Sequence, residues 1–509
     1  MKIAILGGGP AGLYFAISMK LRDAAHEVTV FERNRPDDTF GWGVVLSDET
    51  LDNLAANDAV SAEKIRKHFA YWDDIAVFYR GTQTVSTGHG FCGIGRMRLL
   101  LLLQERAREL GVDLRFETEA EEPQHYMDRY DLVVASDGLN SKARTAFADI
   151  FKPDIDVRAC KFVWLGTHQK FNDAFTFIFE ETDKGWVWAH AYQFDDDTAT
   201  FIVECSEETW ARFGFGEMSK EESIATCEAI FKDHLGGHAL ISNANHIRGS
   251  AWLNFPRVLC ERWSHKNLAL MGDAAASAHF SIGSGTKLAL ESAIALADYV
   301  TSEPDLESAF RKYEDARRLE VLRLQSAARN SLEWFEEVER YLDLDPVQFN
   351  YSLLTRSQRI SHENLRLRDK DWLEGAERWF HGQAGNDINI ARAPMFAPFK
   401  LRDMALKNRI VVSPMAQYKA VDGCPTDWHF AHYAERAKGG AGLIYIEMTC
   451  VSPEGRITPG CPGFYAPEHE AAWTRLVDFV HAETEAKICA QVGHSGAKGS
   501  TQLGWQDMD

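Results

Sequence analysis

The feature that most constrains the fold is a glycine turn between a buried strand and a helix at the start of the chain. The apolar run Ile3-Ala4-Ile5-Leu6 leads directly into Gly7-Gly8-Gly9-Pro10-Ala11-Gly12. In such a unit the first glycine permits a tight turn, the second lets the backbone approach a pyrophosphate, and the third allows close helix–strand packing. A second strand, Glu27–Phe31, ends beside Glu32 and Arg33, and the Glu32 carboxylate can accept hydrogen bonds from ribose hydroxyls. The pattern predicts a Rossmann-like dinucleotide-binding domain.

Composition excludes several classes of protein. A chain of 509 residues requires more than one domain. Its formal net charge of −20 argues against binding to nucleic acid or to an anionic membrane surface. The nine cysteines include no Cys-x-x-Cys pair, so we expect no disulfide frame, no metal site and no dithiol reductase. No apolar run reaches the length of a membrane span, and the strand at Lys2 leaves no room for a secretory signal, which favours the cytoplasm.

A second glycine motif indicates which dinucleotide is bound. After the apolar run Leu268-Ala269-Leu270-Met271 come Gly272-Asp273, a loop, and then Gly283-Ser284-Gly285-Thr286 at the start of a long helix. Backbone donors and a helix dipole at one spot favour the anionic reduced ring of a flavin, and Asp273 can hold hydroxyls of the cofactor. An ordinary strand–loop–helix turn would explain Gly272-Asp273 but not the Gly283/Gly285 spacing. We therefore expect FAD.

The composition changes along the rest of the chain. Strands rich in Trp, Phe and Thr predict an antiparallel substrate sheet inserted into the FAD-binding domain, followed by a helical region and, after a break near 391–394, renewed βα alternation. Residues 361–390 are polar, with no clear core face beyond Trp372, Trp379 and Phe380. The predicted parts are the FAD-binding subdomain at about 1–70, 95–156 and 256–300, the sheet at about 71–94 and 157–255, the helical region 301–390, and a second domain 391–509.

Residues 1–300 resemble the FAD-dependent aromatic hydroxylases of the para-hydroxybenzoate hydroxylase type. Besides the two glycine motifs, Asp137-Gly138 matches the pair that serves pyrophosphate and nicotinamide binding in that family, and Arg96 matches a flavin contact before a leucine-rich helix. The resemblance implies that NAD(P)H, a transient co-substrate, reduces FAD, and that O₂ is captured as a flavin C4a-hydroperoxide which hydroxylates an electron-rich ring. The family usually has His and then Pro-Pro where this chain has Ala276 and then His279-Phe280. His279 is a candidate catalytic residue, and a packing role explains it equally well.

Other stretches carry narrower resemblances. Gly41–Val45, residues 201–210 and His279–Gly283 are similar to a branch that contains the tryptophan hydroxylase of violacein synthesis and the hydroxylases of salicylyl-CoA and 2-aminobenzoyl-CoA. Residues 406–418 and several later pieces resemble the old-yellow-enzyme barrels. In that barrel family the residues that contact FMN would be Pro414, Met415, Ala416 and Gln491.

The tail favours the acyl-CoA members of the branch, because it resembles the barrel of the 2-aminobenzoyl-CoA monooxygenase/reductase and salicylyl-CoA 5-hydroxylase fusions. Residues 396–509 are too few for a (β/α)₈ barrel, which needs eight strands and about 250 residues. We therefore expect a partial (β/α) barrel segment without ene-reductase activity, with FMN bound only in a full-length barrel.

These resemblances lead to one functional prediction and leave two alternatives open. The prediction is an NAD(P)H- and O₂-dependent FAD monooxygenase that hydroxylates salicylyl-CoA or 2-aminobenzoyl-CoA at ring position 5. The first alternative is a hydroxylase of a free aromatic acid, a phenol or tryptophan. The second is a non-catalytic FAD-binding or redox-sensing module whose barrel segment is a dimerisation surface. We also consider a homodimer for the enzyme itself.

Overall fold

The computed structural model describes residues 1–39, 41–171, 174–243, 251–499 and 501–502. It divides the chain into two compact units, Met1–Asp369 and Lys370–Asp509. Within the described residues, no helix is both long enough and apolar enough to cross a membrane.

The strands of the first unit are β1 (Lys2–Leu6), β2 (Glu27–Phe31), β3 (Gly43–Leu46), β4 (Ala70–Trp72), β5 (Asp74–Tyr79), β6 (Thr82–Ser86), β7 (Phe91–Gly95), β8 (Asp113–Arg115), β9 (Leu132–Ala135), β10 (Pro153–Thr167), β11 (Ala174–Thr182), β12 (Gly185–Gln193), β13 (Ala199–Cys205), β14 (Leu240–Ile241), β15 (Leu253–Cys260), β16 (Ser264–His265) and β17 (Leu268–Leu270). Its helices are α1 (Pro10–Arg22), α2 (Asp48–Asn57), α3 (Ala59–Arg66), α4 (Arg96–Glu109), α5 (Pro123–Met127), α6 (Lys142–Ala146), α7 (Ala148–Phe151), α8 (Glu207–Phe213), α9 (Lys220–Ile230), α10 (Gly285–Ser302), α11 (Leu306–Glu336), α12 (Pro346–Thr355) and α13 (His362–Arg368).

A six-stranded sheet in the order β16-β17-β9-β1-β2-β8 forms the nucleotide-binding layer. β1 runs parallel to β2 and β9, and β17 runs parallel to β9. β1, β9 and β17 read as continuous apolar runs because both faces of a parallel sheet are covered, here by helices that include α1 and α10. Since β1 and β17 flank β9 in the same direction, the turns that follow them emerge at one edge of the sheet. The predicted Rossmann-like fold is confirmed.

The inserted sheet has the order β14-β10-β13-β12-β11-β5-β6, with β15 also paired to β10. Its pairs are antiparallel, as predicted, except that β11 runs parallel to β5. β5 comes from a much earlier segment of the chain, so no hairpin dictates its direction. A smaller sheet, β3-β7-β4, lies in the same unit.

The second unit contains the helices α14 (Lys370–Gln383), α15 (Asp427–Lys438) and α16 (Pro467–Glu483), and the strands β18 (Phe399–Leu401), β19 (Met404–Leu406), β20 (Val411–Val412), β21 (Leu443–Cys450) and β22 (Lys487–Gly493). β20, β21 and β22 form a parallel sheet. α15 and α16 are the crossovers between them, and Tyr433 and Trp473 pack on Ile444 and Ile446. These are two successive βα units of the kind a barrel repeats, and no closed barrel forms within the described residues.

The division into units falls earlier in the sequence than the composition break near 391–394. α14 contacts the turn at Pro394–Phe396, and the Arg409 guanidinium lies 5.1 Å from the centre of the Phe380 ring. The expectation that this polar segment has no clear core face beyond its aromatic residues was wrong. α14 buries Leu373, Glu377 and His381, which share one face at a spacing of four residues.

Candidate active site

The two glycine turns of the sequence meet at the edge of the nucleotide-binding sheet. Gly7 has φ +107°, and a Cβ there would lie 2.4 Å from the Ser136 carbonyl oxygen. A Cβ on Gly12 would lie 2.2 Å from the Gly7 carbonyl oxygen, so both positions require glycine. A Cβ on Gly272 would lie 3.3 Å from the Cβ of Ala11, which places the second motif directly against the first helix.

Helices α1 and α10 both begin without a side-chain cap. Gly9 precedes Pro10 at the start of α1 and has no side chain to offer, and a Cβ on Gly9 would meet no atom within 4 Å. Ser284 precedes Gly285-Thr286 at the start of α10, but its hydroxyl donates to the Ile282 carbonyl instead of capping the helix. The first-turn amides of both helices therefore remain available, an arrangement that suits an anionic ligand.

The carboxylate of Glu32 is fixed beside the first turn. Its Oε2 accepts a hydrogen bond from the Gly8 amide at 2.7 Å, and its Oε1 accepts one from the Asn34 amide at 2.8 Å. The neighbouring Arg33 is exposed. Glu32 thus lies where a ribose of a dinucleotide bound at the glycine turn would need an acceptor.

The Asp137-Gly138 turn is joined to the second motif by Arg144. Asp137 Oδ2 accepts from the amide of Lys142 at 2.7 Å, whereas Oδ1 is buried and has no hydrogen-bond partner among the described residues. The Arg144 guanidinium donates to the carbonyls of Asp273 at 3.3 Å and Ala274 at 3.1 Å. A buried acceptor without a partner is costly, which fits a ligand hydroxyl donating to Asp137.

Arg96 and Asp273 bring opposite charges to the same region. Burial raises the pKa of Asp273, and the positive charges of Arg96 and Arg144 oppose that rise. Burial also lowers the pKa of Arg96, and the charge of Asp273 opposes that fall. Asp273 is nevertheless accessible to solvent and Arg96 is half-buried. Side chains that are surrounded by protein and still accessible line a cleft.

His279 lies in the loop that leads to Gly283 and α10, with 4% of its surface exposed. Its Nδ1 accepts a hydrogen bond from the Ser281 amide at 3.2 Å, and the Phe255 ring meets it edge-on at 4.8 Å. Burial lowers the pKa of His279 to about 4, so the ring is neutral near pH 7. Because Nδ1 is the acceptor, the proton is assigned to Nε2. As a neutral imidazole, His279 can donate one hydrogen bond but supplies no positive charge.

The same loop contacts the inserted sheet through Phe280. The centre of the Phe280 ring lies 4.8 Å from that of Phe162 on β10, 6.0 Å from Trp164 on the same strand, and 5.9 Å from His190 on β12. An aromatic cluster therefore forms where the loop faces the sheet. Such a surface suits a flat apolar ring.

The sequence reasoning missed a buried polar group in the inserted sheet. Glu204, 1% exposed, accepts hydrogen bonds from Trp188 Nε1 at 2.9 Å and from His190 Nε2 at 3.0 Å. Burial lowers the pKa of His190, and Glu204 opposes the shift. The available signal was a lone acid within the apolar strand β13, which pairs with β12 so that Glu204 stands opposite Trp188.

The candidate FMN residues lie in the second unit. Pro414, Met415 and Ala416 follow β20 after one intervening residue, Ser413, and Gln491 lies in β22 opposite Met448 of β21. The side chains of Met415, Ala416 and Gln491 are exposed. Their contact with FMN remains a prediction.

Comparison with known proteins supports the flavin assignment of this geometry. A family model described as "FAD binding domain" matches residues 1–318. A salicyloyl-CoA 5-hydroxylase from Streptomyces sp is 42% identical over 424 residues, which cover 81% of this chain and 79% of that protein. The chain belongs to the FAD-dependent aromatic monooxygenases. A second model, "NADH:flavin oxidoreductase / NADH oxidase family", matches residues 394–507 of this monooxygenase.

Two further comparisons agree with the family. The protodeoxyviolaceinate monooxygenase of Chromobacterium violaceum is 36% identical over 366 residues, which cover 71% of this monooxygenase and 95% of that protein. The solved structure of 2-methyl-3-hydroxypyridine-5-carboxylic acid oxygenase superposes with a TM-score of 0.53 at 18% identity, covering 73% of this chain and 99% of that one. At that identity the structure shows a shared fold.

The residues of the cleft fit FAD. The uncapped amides of α1 and α10 suit its pyrophosphate and the anionic side of its reduced ring, and Glu32 suits a ribose. Asp137 offers a buried acceptor that no described residue satisfies. A Cβ on Gly9 would meet no protein atom within 4 Å, so the space beside this backbone is open to a ligand.

Proposed function

We propose that this monooxygenase hydroxylates an aromatic acyl-CoA, salicylyl-CoA or 2-aminobenzoyl-CoA, at ring position 5, with NAD(P)H as electron donor and O₂ as oxidant. The observation that carries the proposal is the 42% identity to a salicyloyl-CoA 5-hydroxylase. The likeness covers 81% of the chain, more than the first unit contains, so it extends into the second unit.

The residues of the cleft have distinct roles in this proposal. Gly7–Gly12 and Asp137 would hold the pyrophosphate side of FAD, Glu32 a ribose, and Asp273 with Arg96 the flavin side. FAD, when bound, would supply hydride acceptance and oxygen activation. The chain itself would orient the substrate ring against the aromatic cluster at Phe280 and exclude water from it.

The substrate ring determines where oxygen is added. A hydroxyl or amino group ortho to the thioester-bearing carbon donates electron density to the carbon para to itself, which is C5 when the thioester carbon is C1. We assign His279 a catalytic role as a neutral donor through Nε2, because its Nδ1 is occupied by the Ser281 amide. A donor at that atom can hold a polar substituent of the substrate in place.

A substrate panel tests the proposal. Purified protein is assayed for NADH and NADPH oxidation and for hydroxylated product with salicylyl-CoA, 2-aminobenzoyl-CoA, the two free acids, tryptophan and no substrate. We expect stimulated oxidation and 5-hydroxylated product with at least one CoA thioester. Turnover only with a free acid or tryptophan would overturn the CoA assignment, and bound FAD without any stimulation would favour a non-catalytic module.

The assay tests the free-substrate alternative separately, because one relative, which is 36% identical, is named for protodeoxyviolaceinate. The arm with tryptophan and the free acids therefore uses concentrations up to the millimolar range, where weak substrates saturate.

A further inference from the structure

A second cleft of about 520 Å³ opens in the first unit between the end of α11 and α12. We call it the α11–α12 cleft. Its volume lies within the range of small-molecule sites. It is lined by Asn330 and Trp334 of α11, by Tyr341 of the following turn, and by Thr355, Arg356 and Gln358 at the end of α12.

Arg356 forms the inner end of this cleft. Its guanidinium lies 5.0 Å from the centre of the Phe177 ring and 5.3 Å from that of Phe335. It donates to Ser331 Oγ at 2.9 Å, to the Leu353 carbonyl at 2.8 Å and to the Ser281 carbonyl at 3.0 Å. All three acceptors are neutral. A guanidinium has five N–H donors, so these hydrogen bonds leave two for a ligand.

The contact with Ser281 connects the α11–α12 cleft to the flavin loop. Ser281 lies between Phe280, which belongs to the aromatic cluster, and Gly283, which leads to α10. Arg356 thus connects the loop that carries Phe280 to the lining of the α11–α12 cleft. A substrate whose ring lies at Phe280 and whose tail leaves through the cleft must pass Arg356.

The outer part of the cleft is polar, with its charges balanced. The rings of Trp334 and Tyr341 stack with centres 5.0 Å apart, and Trp334 Nε1 donates to Ser352 Oγ at 3.0 Å. The acids that line it, Glu333 and Glu337, pair with Arg329 and Arg340 at 2.7 and 2.6 Å.

This lining matches a pantetheine arm better than a phosphate group. Amide and hydroxyl side chains can bond the two amides of the arm, and the stacked rings offer an apolar surface for its dimethyl carbon. Because the Glu333 and Glu337 carboxylates already pair with Arg329 and Arg340, the described residues of the lining offer a phosphate no unpaired cation other than Arg356. The charged nucleotide end of CoA would therefore lie outside the cleft.

We propose that the α11–α12 cleft is the subsite for the pantetheine arm of a thioester substrate, and that Arg356 donates to the thioester carbonyl. The inference rests on the proposed acyl-CoA function and identifies where the acyl carrier is held. CoA and an acyl carrier protein present the same arm.

A filling variant tests the subsite. Asn330 is half-buried and its side chain donates only a long hydrogen bond, 3.5 Å, to the Ser357 carbonyl. Asn330→Trp should fill the cleft without removing a core contact. Leu319→Trp is the matched control, since Leu319 is on the same helix and is 55% exposed. Arg356→Lys keeps the positive charge but removes the planar donor set.

KM and kcat are measured with salicylyl-CoA, salicylyl carrier protein, salicylyl-pantetheine, the truncated N-acetylcysteamine thioester and salicylate. For the wild type we expect similar KM values for the CoA and pantetheine thioesters and a KM about tenfold higher for the truncated one. Asn330→Trp should raise KM about tenfold for the three full-arm substrates and change that of the truncated thioester little. Arg356→Lys should raise the KM of every thioester substrate. Calorimetric binding of benzoyl-pantetheine gives a readout independent of turnover.

The outcomes separate the subsite from the function. Turnover of salicylyl-CoA with unchanged KM in both Asn330→Trp and Arg356→Lys would overturn the subsite and leave the proposed function standing. Turnover of salicylate with no thioester turned over would overturn both. If the carrier-protein thioester is preferred over salicylyl-CoA, the subsite is supported, and the pantetheine arm it holds belongs to a carrier protein instead of CoA.

Discussion

His279 illustrates how burial decides what a side chain can do. In the sequence, His279 stands out because its loop departs from the residue pattern that is usual in the family. In the structure its ring is enclosed by Phe255 and Phe280, and its Nδ1 accepts the Ser281 amide hydrogen. A histidine with a pKa of about 4 neither carries charge near pH 7 nor acts there as a strong base.

The low pKa of His279 predicts acid sensitivity. The folded pKa of about 4 lies below the ordinary 6.5, so the unfolded chain binds more protons between these values. The contribution of His279 to the free energy of unfolding is complete above about pH 6.5 and is lost as the pH falls toward 4. At pH 5 this contribution is smaller by about 2 kcal/mol. Urea unfolding at pH 7 and pH 5 measures the loss.

His279→Asn provides the comparison, because an Asn side-chain oxygen can still accept from the Ser281 amide. His89, whose pKa burial also lowers to about 4, stays in both proteins and serves as a common background. The variant should lose less stability than the wild type between pH 7 and pH 5. Equal losses would show that His279 does not resist protonation in the folded state.

Gly9 and Gly12, at the start of helix α1, are needed for different reasons. Gly12 is needed for packing, since a Cβ would meet backbone and side-chain atoms at 2.2 and 2.5 Å. Gly9 has φ −74° and ψ −178°, which any residue adopts, and its Cβ would meet nothing within 4 Å. The structure alone would therefore tolerate alanine at Gly9 but not at Gly12.

A matched pair of variants tests this division. Gly9→Ala should fold with stability within about 0.5 kcal/mol of the wild type and bind FAD at least about tenfold more weakly. Gly12→Ala should cost about 1–3 kcal/mol through overpacking, with or without FAD. Stability is followed by denaturant unfolding without added FAD, and affinity by quenching of FAD fluorescence. Undiminished FAD affinity in Gly9→Ala would contradict the placement of the pyrophosphate.

The sequence predicted the elements whose pattern is local. The turns at Gly7–Gly12 and Gly272–Gly285 follow apolar strands, and a strand, glycines and a helix are neighbours in the chain as well as in space. The geometry of a parallel sheet then predicts that the two turns meet at one edge of the sheet.

Contacts between distant segments were not predictable in this way. Arg356 donates a hydrogen bond to Ser281, and Arg144 donates one to Asp273. The members of each pair are far apart in the sequence, so no periodic pattern predicts the contact. The buried face of α14 was missed because two of its three residues, Glu377 and His381, are polar. The parallel pairing of β11 with β5 likewise depends on how separate segments enter one sheet.

The whole chain combines two compact units, each with its own apolar core. The residues proposed to hold FAD lie in Met1–Asp369, and the family model for NADH:flavin oxidoreductases matches residues in the other unit. A ligand stabilises the part of a protein that binds it, in proportion to the logarithm of its concentration over Kd.

Two heat-absorption transitions are therefore expected on calorimetric unfolding, with FAD raising the midpoint of one. At a free FAD concentration of about 100 Kd the stabilisation of the first unit should be about 2.7 kcal/mol, while the second unit is unchanged. Hydrogen exchange read by mass spectrometry assigns each transition, since peptides of α1 and α10 should gain protection and those of α15 and α16 should not. A single transition that shifts as a whole, with equal protection in both units, would show that the units unfold as one cooperative body. FMN added in place of FAD provides the complementary measurement. No shift of the other transition is expected, because FMN binding is expected to require a full-length barrel, and a shift confined to that transition would instead place a flavin site in the second unit.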